Sequence, residues 1–248
     1  MKAMIFAAGL GTRLKPFTDT KPKALFPVCG KPLLEHVIRK LKAAGFDEII
    51  INTHHFSEQI IDFLRQNDRF GIRIEISDEN NRLLDTGGGI KKAESFFDDG
   101  KPFLVHNADI LSDADLTAFR KYHLNRENAL ATLLTSNRET FRYLLWDSSD
   151  QLAGWINTQT GEVKSPLKPF NPEKYTRSAF SGIHIFSPSV FEYMKNFPEK
   201  FSIIDFYLSI ADKAPIFQYM PESLHLIDVG KTENIPEAEK LLGRIQID

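Results

Sequence analysis

The chain reads as an α/β protein: a Rossmann-like, mixed but mainly parallel sheet sandwiched by helices, with a more extended second half. Three observations predict this class. Short apolar runs alternate with helical patterns through residues 2–124. A glycine-bearing turn leaves the first apolar run directly, as it does where a buried strand opens onto a ligand. From residue 129 to 186 the pattern turns to extended stretches separated by turn residues.

Taken in order, residues 2–8 read as a strand whose apolar run, unbroken from Ala3 to Ala8, suits cover on both faces. Residues 33–44 carry helical periodicity, and Gly45 is placed to stop that helix at its C′ position. Residues 48–52 form an isoleucine-rich strand, and 57–64 a helix with Ser57 as its expected N-cap. Residues 72–77 alternate like a strand, 88–97 read as a helix, 102–106 as a strand and 113–124 as a helix. That βαβα order calls for parallel strands joined by helical crossovers. Residues 129–136, 141–146, 151–157 and 178–186 are extended, with turn signals at Ser148-Ser149-Asp150 and Thr160-Gly161. Helices return at 189–196 and 202–214, strands at 216–220 and 224–229, and a helix at 233–242 closes the chain. Segment 160–176, rich in lysine and proline, is expected to be a mobile loop.

Composition narrows the function. Of 248 residues, 42% are apolar and 26% charged, an ordinary globular balance for a single domain over 1–248. Thirty-one basic residues face 33 acidic ones, for a net charge of −2, which argues against bulk attraction to nucleic acid or an anionic membrane. Cys29 is the one cysteine, so no intramolecular disulfide can form. The first apolar run is too short for a signal-peptide core or a membrane span, so a cytoplasmic location is expected. The seven histidines lack zinc-ligand spacing, and nothing in the sequence supports an oligomer.

The informative stretch is Ala7-Ala8-Gly9-Leu10-Gly11-Thr12-Arg13-Leu14-Lys15-Pro16-Phe17-Thr18, followed by Lys21-Pro22-Lys23. Its spacing is neither a Walker A loop nor a dinucleotide fingerprint. Glycines leaving a strand still let backbone N–H groups close on a polyphosphate. Arg13 adds a forked cation and Lys23 a point-like one. Asp109 and Asp228 each follow an apolar run, and two carboxylates meeting at one crevice would form a hard oxygen site suited to Mg²⁺. Asp85-Thr86-Gly87-Gly88-Gly89 lies between a strand and a helix, where a flat nucleobase could rest on the backbone. Each feature alone also reads as ordinary structure: a tight turn, an N-cap, a flexible connector.

Together these residues resemble the sugar-1-phosphate nucleotidylyltransferase family, whose signature G-x-G-T-R-x-x-P-x-T then P-K is matched by Gly9, Gly11, Thr12, Arg13, Pro16, Thr18, Pro22 and Lys23. The resemblance continues through residues 31–35, the glycines at 87–89, Asn107-Ala108-Asp109 and Asp228-Val229-Gly230. It implies nucleotide contacts at Ala8, Gly9, Gly11, Thr12, Arg13, Thr86, Gly87, Gly88 and Asn107, with Mg²⁺ on Asp109 and Asp228. It implies catalytic roles for Arg13, Lys23 and Asp109, and sugar-phosphate contacts at Lys23, Lys168, Ser181 and Gly182. Ala108 stands where the family has Gly, and Leu167 where it has Glu. On this reading residues 1–125 bind the nucleotide, while 126–248 bind the sugar and supply the second metal ligand. The implied substrates are a nucleoside triphosphate and a sugar 1-phosphate. The short chain, Thr86-Gly87-Gly88-Gly89-Ile90 and Phe180-Ser181-Gly182-Ile183 are most similar to members that join UTP to N-acetylmuramate 1-phosphate in cell-wall recycling. Mannose-1-phosphate guanylyl and glucose-1-phosphate thymidylyl or uridylyl transfer are the near rivals. From other classes, a glycosyltransferase would use Asp113-Ala114-Asp115 as its metal element, and a sensor would keep the fold without chemistry.

Overall fold

The structure, a computed structural model, describes residues 1–245. In chain order it contains β1 (Lys2–Phe6), β2 (Pro27–Val28), β3 (Lys31–Pro32), α1 (Leu33–Ala43), β4 (Glu48–Thr53), α2 (Ser57–Gln66), β5 (Arg73–Asp78) and α3 (Asp85–Lys92). Then come β6 (Phe103–Asn107), β7 (Ile110–Ser112), α4 (Leu116–Asn125), β8 (Ala131–Ser136), β9 (Arg142–Trp146), β10 (Leu152–Asn157) and β11 (Val163–Lys164). The chain finishes with β12 (Thr176–Phe186), α5 (Val190–Met194), α6 (Ile203–Ile210), β13 (Ile216–Tyr219), β14 (Leu226–Asp228) and α7 (Ile235–Arg244). Among the described residues no helix is long and apolar enough to cross a membrane.

These elements group into two compact units, and neither is continuous in sequence. The first holds Met1–Leu84, Phe103–Leu116 and the chain from Leu224. Its sheet is wholly parallel, in the order β6-β1-β4-β5. Ala3, Met4 and Ile5 of β1 and Ile49 and Ile51 of β4 are fully buried, which is why these strands read as unbroken apolar runs. Helix α1 buries Leu33, Leu34, Val37, Ile38 and Leu41, one stripe at helical spacing. It ends as expected: Gly45 sits at φ +82°, its N–H donating to Lys42 O while that of Phe46 reaches Leu41 O. This is the paired bonding of a Schellman cap.

A smaller ladder completes the unit. β14 runs antiparallel to β7, and Val28, Leu33, Leu111, Val229, Ala238 and Leu241 form a buried cluster around it. Burying aliphatic side chains of this kind contributes about 1.5–3 kcal/mol each, so the cluster fastens the returning C-terminal segment to β7.

The second unit holds Asp85–Pro102 and Thr117–Ser223. Its strands pair β11-β10-β9-β12-β8 antiparallel, and β13 joins β8 in parallel. Parallel pairing in the first unit and mostly antiparallel pairing in the second make up the mixed α/β architecture predicted above.

Some local expectations differ from the structure. The N-cap of α2 is Phe56 in a left-handed conformation, while the Ser57 hydroxyl reaches Asn80 Oδ1 at 2.6 Å. Helix α3 begins at Asp85 and takes the three glycines into its first turns, three residues earlier than their low helix propensity predicts. The expected mobile loop at 160–176 is pinned instead. Ser165 Oγ donates to Ala153 O at 2.6 Å, and Phe170 packs so closely on Gly154 that a Cβ there would lie 2.7 Å from the ring.

Candidate active site

The loop after β1 is shaped by two residues. Gly11 adopts φ +61°, ψ 28°, and a Cβ built on it would stand 2.8 Å from Lys23 Cβ and 2.9 Å from Thr18 Cγ2. Only glycine satisfies both the left-handed backbone and that approach. Leu14, buried at 1% exposure, anchors the following turn, whose amide donates to Gly11 O at 2.8 Å. With Leu14 facing in, Thr12 and Arg13 are left on the outer side of the turn. Thr18 Oγ1 donates to Gly11 O at 2.9 Å and closes the loop from the other side.

Beneath this loop Lys23 crosses Gly11 and its ammonium pairs with Asp109 Oδ2. Asp109 is carried past the end of β6, where Ala108 N–H donates to Phe6 O at 3.0 Å. Chain reversal then starts β7, whose Ile110 faces Asp228 of β14. Val229 N–H donates to Asp109 O at 2.9 Å, so the two aspartates occupy adjoining positions of one ladder. Asn234 Nδ2 donates to Asp228 O at 2.6 Å and fixes that strand end. Gly230 closes the group: its missing Cβ would lie 2.7 Å from Arg13 Nη2 and 2.9 Å from Asp228 Oδ1. Lys23 thus meets Asp109, Arg13 and Asp228 both flank Gly230, and the Val229–Asp109 bond joins the two pairs along the backbone; Ala8, Gly9, Gly11, Thr12 and Asn107 belong to the same unit.

The donor set suits a hard cation. The β7–β14 ladder brings two carboxylate-bearing residues, Asp109 and Asp228, to adjoining backbone positions. Mg²⁺ is commonly held in that way, by one or two carboxylates with waters and substrate phosphates filling the octahedron. The rival element Asp113-Ala114-Asp115 is engaged otherwise. Both Asp113 oxygens bind His225, one to its N–H at 2.8 Å and one to its Nδ1 at 2.7 Å. The helix expected from residue 113 starts at Leu116.

Two titratable groups support this region and carried no signal in the sequence. His106 is fully buried, its Nδ1 2.8 Å from Asn107 O, and burial pushes its pKa down to about 4. Lys40 donates to Ser112 O and Ala114 O at 2.9 and 2.7 Å, tying α1 to the end of β7. Burial lowers its pKa to about 8, against the opposing pull of Asp113 and Asp115.

The remaining candidates lie in the second unit. Gly87 and Gly88 donate their N–H groups to Phe201 O at 2.9 and 3.3 Å, and Thr86 Oγ1 accepts from Ile203 N at 2.9 Å. A Cβ on Gly87 would fall 2.2 Å from the Phe201 ring, so packing alone requires this glycine. Ser181 is buried and its hydroxyl donates to Leu134 O at 2.6 Å. Gly182, at φ +77°, sits in a bulge of the β12–β8 ladder, and Lys168 is exposed.

Known proteins similar to this chain show its family and fold. The family model described as "Nucleotidyl transferase" matches residues 2–243. The chain is 33% identical over 250 residues to a UTP–glucose-1-phosphate uridylyltransferase of Synechocystis sp., covering 96% of this chain and 62% of that one. It is 48% identical over 118 residues to an N-acetylmuramate alpha-1-phosphate uridylyltransferase of Neisseria meningitidis serogroup B, covering 48% of this chain and 51% of the relative. The match thus spans about half to three fifths of the length of these relatives. In fold, the chain is similar to a solved UDP-glucose pyrophosphorylase complexed with UDP-glucose, with TM-score 0.76 at 18% identity over 98% of both chains.

Proposed function

This chain belongs to the nucleotidyl transferase family, and we propose that it transfers a nucleotidyl group from a nucleoside triphosphate to a sugar 1-phosphate, releasing pyrophosphate. The observation that carries the reading is the convergence of Arg13, Lys23, Asp109 and Asp228 around Gly11 and Gly230. Two cations and two carboxylates in one place match the needs of a polyphosphate with a divalent metal. No enzyme nucleophile is required. A phosphate oxygen of the sugar phosphate attacks the α-phosphorus in line, the bond to the β-phosphate oxygen breaks, and pyrophosphate leaves with that electron pair. Catalysis is then positioning and charge stabilisation.

In this scheme the N–H groups of the Gly9–Thr12 loop cradle the phosphates. Arg13 holds the leaving β- and γ-phosphates, and its fork stabilises charge as it builds there. Lys23 exchanges Asp109 for the α-phosphate and the incoming sugar phosphate. Asp109 and Asp228 would hold Mg²⁺, which when bound would supply neutralisation of phosphate charge. Thr86, Gly87, Gly88 and Asn107 are assigned to the nucleotide, and Lys168, Ser181 and Gly182 to the sugar phosphate, by family resemblance. The substrate pair proposed is UTP with N-acetylmuramate 1-phosphate, supported by the 48% identity to a uridylyltransferase of that sugar. We place the reaction in the cytoplasm, where the lone Cys29 stays reduced.

The test is pyrophosphate release from a matrix of the four triphosphates against N-acetylmuramate, mannose and glucose 1-phosphates. UTP with N-acetylmuramate 1-phosphate should react fastest. Preference for another pair would reassign the substrate, and silence across the matrix would remove the catalytic reading.

A further inference from the structure

Segment 78–86 is largely solvent-facing except at one side chain before α3. Asp78, Asn80, Asn81, Arg82 and Asp85 are exposed or half-buried, whereas Glu79 retains 2% exposure. A carboxylate turned inward from such a loop is costly unless its oxygens are bonded. Both are. Glu79 Oε2 accepts from Leu84 N–H at 3.0 Å, and Oε1 accepts from Asn52 Nδ2 at 2.9 Å. Asn52, 1% exposed at the end of β4, uses its other amide atom on the nucleotide side: Oδ1 accepts from Ala7 N–H at 2.8 Å. The same N–H also points at Asn52 O, 3.2 Å away, extending the β1–β4 ladder by one residue. Ala7 immediately precedes Ala8 and Gly9, so this bond sets where the glycine loop leaves the sheet.

The orientation of the Asn52 amide is forced. The opposite flip would set the amide NH₂ against Ala7 N–H and the amide oxygen against the Glu79 carboxylate, so only one orientation gives a bond at both ends. The result is a relay of fixed polarity running from Leu84 N–H to Glu79, from the Asn52 amide to Glu79, and from Ala7 N–H to Asn52. Each link lies in the first unit. The Glu79 backbone is tied down as well, its N–H donating to Thr53 O at 2.7 Å and its carbonyl lying 2.7 Å from His54 Nδ1.

We infer that Asn52 and Glu79 are positioning residues for triphosphate binding, acting through Ala7 on the backbone of Ala8 and Gly9. The inference rests on the reading of Ala8 and Gly9 as nucleotide contacts. Neither side chain touches substrate in this scheme. They hold the loop's point of departure, so that its N–H groups meet the ligand without reorganisation.

Relay polarity supplies the test. Glu79→Gln puts an amide N–H against one of the two donors that the carboxylate accepts. Asn52→Asp puts a carboxylate against Glu79. Combining them reverses one link and restores every bond. The new amide N–H at position 79 donates to the new carboxylate at position 52, and the carbonyl oxygen of that amide accepts from Leu84 N–H. The second oxygen of the new carboxylate still accepts from Ala7 N–H. Net charge is unchanged in the double variant. UTP affinity is measured by calorimetry in wild type, both single variants and the double. Amide exchange at Ala7 and Leu84 is followed by NMR, and KM for the sugar 1-phosphate is measured alongside. Each single variant should weaken UTP binding about tenfold and speed exchange at both amides, with the sugar-phosphate KM changed less than about twofold. The double variant should recover UTP affinity to within about threefold of wild type. Equal UTP affinity in all four proteins overturns the inference, as does a double variant no better than the singles. Wild type that binds no triphosphate would instead overturn the proposed function, a separable result because amide exchange reads the relay without ligand.

Discussion

Gly230→Ala is the perturbation that isolates Arg13. The added methyl would lie 2.7 Å from Arg13 Nη2, 3.2 Å from Arg13 Cζ and 2.9 Å from Asp228 Oδ1. Gly230 does not have a positive φ, so no backbone strain accompanies the change. Arg13 is exposed and its guanidinium is the far end of a flexible side chain, so it can swing away at little cost to folding. Stability should then change by less than about 1 kcal/mol. The loss falls on the leaving phosphates, which forgo a charge-assisted contact of roughly 1.5–3 kcal/mol. That range converts to a drop in kcat/KM of about 10- to 150-fold. Pyrophosphate release under varied UTP gives kcat/KM, and denaturant unfolding gives the stability. A cycle with Arg13→Ala separates the two groups the methyl meets. If Arg13 carries the effect, Gly230→Ala should cost nothing further in the Arg13→Ala background, and the Mg²⁺ dependence should not move. Unchanged kcat/KM in Gly230→Ala would refute the placement of Arg13. A large shift in Mg²⁺ dependence would move the effect to Asp228.

Three further outcomes are expected. Gly87→Ala should destabilise the protein by about 1–3 kcal/mol in urea unfolding, because the Phe201 ring, which stands 2.2 Å from the new carbon, must be pushed aside in a packed interior; an unaltered midpoint would refute this. Asp109→Asn should lower turnover by at least about a hundredfold at low Mg²⁺, since a neutral amide is a weak ligand for a hard cation and a weak partner for Lys23; full activity would dismiss the metal role. Stability should fall between pH 6.5 and 4. Burial holds His106 and His123 near pKa 4, so across that window the unfolded chain binds the extra protons. Each histidine accounts for up to roughly 3 kcal/mol by pH 4. His106→Gln and His123→Gln should each flatten that slope in unfolding measured at several pH values.

Particular residues show how far the linear code reached. Gly45 was readable as a helix stop because a Schellman cap depends on one residue and its immediate neighbours. The tight turn at Gly11 was readable because its glycine and the residues after it are contiguous in sequence. Ser57 misled because it is a good capping residue by local preference, but its hydroxyl donates to Asn80, far along the chain. The glycines at 87–89 look like a connector in sequence, yet α3 includes them, and at Gly87 the Phe201 ring packs where a side chain would stand.

What the sequence determined by itself was the α/β class, the order of its elements and the glycine turn after β1. These follow from apolar periodicity and residue type, which are local properties. Tertiary structure alone decided that Asp109 and Asp228 adjoin, that Gly230 makes room for Arg13, and that Glu79 reaches Ala7 through Asn52. Those facts depend on strand pairing and burial between segments remote in the chain, and no short window of residues encodes which distant backbone will supply the partner.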